Sequence, residues 1–171
     1  MDTVIAACIR DLEVIKSLIG DAVSRNNGHL FPEFFGPHIR HIVEHYSAFF
    51  EATSADDIIC YDQRRRDSRI SDNPENAIAQ IEQTIARLTA LPAMVSDGGY
   101  GSVTVEFEID PSNSQSEQMG STVLRELLFL MHHTVHHCAL LRLYFDQNCI
   151  PTPSNFGKAP ATLGYEQSNA R

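Results

Sequence analysis

Between Glu126 and Arg142 the chain carries four of its eight histidines, His132, His133, His136 and His137, in a stretch without proline or glycine. Apolar residues recur at spacings of three and four from about Ser121 to Gln147, a period that predicts one long amphipathic helix. Such a helix fixes direction. At ~100° per residue with His133 at zero, His137 falls at ~40°, Leu130 at ~60° and Leu140 at about −20°, so the i, i+4 pair His133/His137 points with the apolar stripe. His136 and His132, at about −60° and −100°, turn toward the polar side that carries Arg125.

A second group, His38, His41 and His45, follows Gly36-Pro37 in a run that predicts a helix from about His38 to Glu51, with proline suited to its first turn. With His41 at zero, His45 lies at ~40° and His38 at ~60°, within the arc of Ile42 and Phe49. All three are expected to face inward. Imidazoles aimed into one core from two helices can hold a divalent metal, the i, i+4 pair giving two ligands and the facing helix a third. Zn, Ni and Fe suit such donors.

The 171 residues fit one domain, 1–171, with a sizeable core. Thirteen Lys and Arg stand against 22 Asp and Glu, a formal net charge of −9, which argues against general affinity for nucleic acid phosphates. Met1-Asp2-Thr3 lacks a basic leader region, and the longest apolar runs fall short of the ~20 residues of a membrane span, so no membrane attachment is expected. Cys8, Cys60, Cys138 and Cys149 form no Cys-x-x-Cys pair and read as reduced thiols of a cytoplasmic protein, with Cys138 a small buried hydrophobe.

Two further helices are expected, at about Thr3–Ser24, ended by Asn26-Asn27-Gly28, and from Ser71-Asp72-Asn73-Pro74 to Pro92. Ala55 to Asn73 reads as an irregular loop, Asp97 to Gly101 as a turn, Val103 to Ile109 as an extended segment, and Asp110 to Gly120 as a polar loop. The Pro-containing tail around Phe156 and Leu163 is expected to pack back in extended form, with Glu166 to Arg171 disordered. These elements predict an all-α protein, an antiparallel four-helix bundle with long loops. Four arginines, at positions 64, 65, 66 and 69, form either a solvated loop or a basic lip in which Arg64 and Arg66 orient an anionic substrate.

Several segments carry a resemblance: His38-Ile-Arg-His-Ile-Val-Glu-His45, Tyr61-Asp-Gln-Arg-Arg-Arg66, His133-Thr-Val-His-His137 and Phe156-Gly-Lys-Ala-Pro-Ala-Thr-Leu163. Together they are similar to recurring segments in a bacterial branch of the DinB-like/YfiT-like superfamily of metal-binding four-helix bundles. The resemblance implies a metal triad of His41, His133 and His137, with His38 and His45 as alternative ligands on the second helix. It also implies a metal-dependent enzyme acting on a small molecule, either a hydrolase using metal-bound water or a transferase activating a thiol, since members include transferases and isomerases that use a low-molecular-weight thiol. His132, His136 or His45 would then donate to ligands or act as general bases, and Glu126, at ~20° on the wheel, is a candidate buried partner of the site or a structural partner of an arginine. The competing expectation is a non-catalytic bundle, stabilised by metal, that works as a homodimer or by binding a partner.

Overall fold

The computed structural model describes residues 1–24, 28–55, 58–95, 101–110 and 112–169. Four long helices dominate it: α1 (Asp2–Ser24), α2 (Gly36–Ala55), α4 (Pro74–Met94) and α5 (Val123–Gln147), with a short α3 (Ser68–Asp72) and a C-terminal α6 (Pro160–Asn169). Helix α1 packs against α4 and α5, and α2 packs against the same two. Their apolar stripes meet in one core that includes Leu12, Ile15, Ile42, Phe49, Ile81, Leu88, Leu127 and Leu141, all buried. None of the described helices is long and apolar enough to cross a membrane.

Local chemistry sets the ends of these helices. The Asn73 side chain accepts from the backbone N–H groups of Glu75 and Asn76, and Pro74 occupies a first-turn position where no N–H is needed. Thr122 likewise accepts from the Arg125 N–H at the start of α5. Pro92 does not stop α4 as expected; it sits in the last turns of a helix that continues to Met94. A π-helical turn, Phe31–Phe35, leads into α2. Gly36 follows it at a close approach, where a Cβ would come within 1.8 Å of the Ser71 carbonyl oxygen, so only glycine lets α2 start against α3.

An all-α reading needs correction. A three-stranded sheet flanks the helices, with β1 (Ile59–Cys60) parallel to β2 (Ser102–Asp110) and β2 antiparallel to β3 (Gln115–Thr122). The alternating segment at 103–109 is the central strand, as expected, with Val105 buried. The polar loop expected at 110–120 is instead β3, and the loop expected at 55–73 contains β1 and α3. Gln115 to Thr122 is an edge strand exposed over most of its length, so backbone pairing to β2 holds it and no apolar alternation marks it.

The tail differs too. Its first part packs back without helix, as expected, with Ile150 and Phe156 buried, but Pro160–Asn169 forms α6, without a buried residue, and positions 170 and 171 lie outside the described residues; a Lys158–Glu166 ion pair at 2.7 Å joins the two parts. Upstream, Gly157 adopts φ +68°, and a Cβ there would meet the Ala139 backbone at 2.7 Å, so this glycine allows the tail to lie directly on α5. The expected helix stop at Asn26-Asn27 and most of the expected turn, at Asp97 to Tyr100, lie outside the described residues.

Candidate metal centre

The buried stripes of α2 and α5 explain where the histidines go. Relative to His133 at zero, the buried Leu127, Thr134, Cys138, Leu141 and Phe145 of α5 cluster at ~80° to ~140°, so His133 and His137 stand at the border of the core stripe rather than at its centre. On α2, Ile42, Tyr46 and Phe49 lie at ~80° to ~140° from His41, and the same border results. Two borders face each other across the α2–α5 seam. The imidazoles therefore collect in a half-buried cluster that solvent can reach, with His45 buried and His38, His41 and His133 partly exposed.

Ligand nitrogens of His41, His45 and His133 all lie within 4.8 Å of one another, a grouping able to hold a metal ion. The His45 Nδ1–H points back to the His41 carbonyl oxygen at 2.7 Å. That bond leaves the Nε2 lone pair free to bind, which is how metal-ligating imidazoles are oriented in proteins. His133 Nε2 is buried with no hydrogen-bond partner. A buried imidazole nitrogen without a hydrogen-bond partner, on a ring grouped with two others, fits a metal-ligand set.

His137, the other histidine of the expected triad, borders this trio. Its ring centroid lies 4.5 Å from that of His41 and 4.6 Å from that of His133, and its Nδ1 meets His38 Nδ1 at 2.7 Å, so those two share one proton. Five imidazoles from two helices thus form a single cluster. His132 and His136 are exposed, as their wheel positions predict, although the His136 ring still lies 5.4 Å from that of His137.

Burial holds the cluster neutral. It lowers His41 to about 2, His133 to about 4 and His137 to about 3, and the neighbouring imidazoles add to each effect. His38 and His45 are lowered by burial as well. Neutral imidazole is the ligand form. A linkage follows with a definite sign: below the ordinary histidine pKa of ~6.5 the unfolded chain takes up protons that the folded chain refuses, so stability is full above that value and falls toward pH 4. Urea unfolding of chelated protein should therefore show its midpoint dropping steadily from pH 6.5 to pH 4; a flat profile would mean the rings are not desolvated.

The two expected arginines part company. Arg64 is partly buried, donates from Nη1 to the Tyr61 carbonyl at 2.9 Å, and its charge helps lower His41, His45 and His133. Arg66 is exposed and donates to the Asp62 carbonyl at 3.3 Å. Cys138 is buried, burial pushes its thiol pKa up, and it takes no place among the grouped nitrogens.

Sequence reasoning passed over the walls of the site. Tyr61 stacks on His45, with centroids 5.4 Å apart and planes 15° off parallel, while Phe129 stacks on His133 at 5.6 Å. Phe34 packs on His38 at 4.7 Å. The Tyr61 hydroxyl donates to Glu126 Oε2 at 2.9 Å, and Glu126 Oε1 accepts from Ser121 at 2.5 Å and from Arg125 at 2.9 Å. Glu126 is fully buried and satisfied by three donors, Arg125 among them, so of its two expected roles it takes the structural pairing with an arginine and reaches the site only through Tyr61. An acidic residue on the His133 side of the helix was the available signal for it; Tyr61 opens one of the segments that carry the resemblance, but nothing in its local pattern aimed it at a histidine.

No family model matches the chain, and no solved structure matches it. Among curated proteins, FK506-binding protein 5 of Rhizopus delemar is 25% identical over 124 residues, covering 71% of this chain and 31% of that protein. The chain therefore spans about a third of the length of the curated relative it matches.

Proposed function

We propose that this chain is a DinB-like, metal-dependent enzyme with four-helix-bundle architecture, acting on a small molecule by hydrolysis. The single observation that carries this reading is the close grouping of ligand nitrogens from His41, His45 and His133. When bound, a divalent ion such as Zn, Ni or Fe supplies Lewis acidity, lowering the pKa of a coordinated water or thiol toward neutrality.

The chain's own residues do the rest. Tyr61 and Phe129 press on two of the ligand rings and hold their orientation. His137, its Nδ1 hydrogen-bonded with His38 Nδ1, packs against His41 and His133 and fixes the position of their rings. Arg64 places a guanidinium near the imidazoles, where it can orient a carboxylate or phosphate. Cys138, buried and raised in pKa, is no nucleophile, so the attacking group comes from outside the chain as water or a small thiol. A panel of ester, amide and thiol-transfer substrates, run on Zn-, Ni- and Fe-loaded and on chelated protein, tests this. Metal-dependent hydrolysis supports the reading; turnover only with added thiol reassigns the chain to transferases, and equal rates after chelation defeat it.

A further inference from the structure

The two edges of the sheet are finished differently. Strand β1 is two residues long, and α2 packs against it. Strand β3 runs from Gln115 to Thr122 and pairs with β2 along one side only. Along its other side the backbone makes no hydrogen bond among the described residues. Native edges are kept from pairing by proline, lysine, bulges or a covering element. None of these guards β3 among the described residues: its register with β2 is unbroken from Ser116 to Thr122, its one charge is Glu117, and positions 115 to 120 are all exposed.

The side chains along this edge suit one kind of partner. Met119 lies opposite Val105, on the face of the sheet that Val105 turns into the core, yet it is 54% exposed, outside the cover the helices give Val105. Gly120 lies on the other face, and a Cβ there would meet nothing within 4 Å.

We infer that β3 pairs antiparallel with β3 of a second copy about a two-fold axis at Met119, joining the two three-stranded sheets into one across a homodimer. In that register the two Met119 side chains cover each other, Gln118 of each copy lies across from Gly120 of the other, where there is room for it, and Ser116 lies across from Thr122. Each Glu117 faces a Ser121, and the two Glu117 carboxylates stand ~14 Å apart, farther than the screening length of ~8 Å at physiological salt. No acid opposes an acid. A one-residue shift would set each Met119 against a glutamine and lose the apolar pair. Because the contact is the same patch on both copies, assembly closes at two. The strand contact is short and the chain carries a net charge of −9, so the dimer is weak, with a Kd of roughly 10–100 µM.

Sedimentation velocity of the full chain between about 5 and 500 µM tests this pairing. A shift from monomer to dimer with rising concentration is expected. Met119→Lys, which sets two ammoniums against each other at the axis, should weaken the dimer at least about tenfold. Leu143→Lys is the control: Leu143 is also largely exposed but lies on α5, so its change should leave the dimer intact. Chelation should leave it intact too, which separates the pairing from the metal centre. Should Met119→Lys fail to fold, amide hydrogen exchange of the unaltered chain still decides, since β3 amides should gain protection between the two ends of the concentration range. A monomer at every concentration, a dimer undiminished in Met119→Lys, equal weakening by Leu143→Lys, loss of the dimer on chelation, or a dimer whose β3 amides gain no protection would each overturn the inference.

Discussion

Purified His133→Ala protein should contain almost no divalent metal, against about one ion per chain in the unaltered protein, while its helical circular dichroism stays nearly unchanged. The reason is geometric. His133 is the α5 member of the trio, and its Nε2 has no other partner to lose, so removing the ring leaves His41 and His45 as two donors on one helix. Because His133 lies at the border of the core stripe, little apolar packing goes with it. His45→Ala should lose metal in the same way. His137→Ala separates the two ligand sets: retained metal at weakened affinity fits His137 as a ring that positions His41 and His133, whereas metal loss in His137→Ala with retention in His45→Ala would make the triad His41, His133 and His137. Elemental analysis on the same preparations reads all three, and full metal in His133→Ala would remove the site altogether.

Glu126→Leu should cost about 3 kcal/mol of stability, lowering the melting temperature by roughly 6–12 °C. Glu126 is fully buried and accepts from Tyr61, Ser121 and Arg125. The Arg125 side chain is largely exposed and can turn to water, but the Tyr61 hydroxyl is buried and would lose its only acceptor among the described residues. Glu126→Gln keeps a carbonyl oxygen for Tyr61 and should cost less than half as much. The damage should also reach the metal centre, since Tyr61 stacks on His45; a loosened Tyr61 should weaken metal affinity about 10–100-fold even at temperatures where the chain is folded. An unshifted melting curve for Glu126→Leu would show that the network contributes nothing to stability.

How much of this was legible without coordinates depended on how local each feature is. The long helices were legible because a 3.6-residue apolar period needs only neighbours in the chain, and the same period turned His41, His45, His133 and His137 toward one side of their helices. Strand β3 was not, because its polar residues face solvent and its stability comes from pairing with β2. Helix α6 escaped notice because it buries nothing and so carries no apolar stripe.

By itself, then, the order of residues determined that two helices would each present imidazoles on the flank of an apolar stripe, in an acidic, predominantly helical chain. Only tertiary packing decided that the His45 ring joins His41 and His133 while His137 turns toward His38, and that Arg64 is held between the Tyr61 carbonyl and Glu44 while Arg66 lies in solvent. Helical periodicity sets only the direction in which a side chain leaves its helix. Which atoms it then meets depends on the crossing of elements far apart in the chain, and no local pattern carries that information.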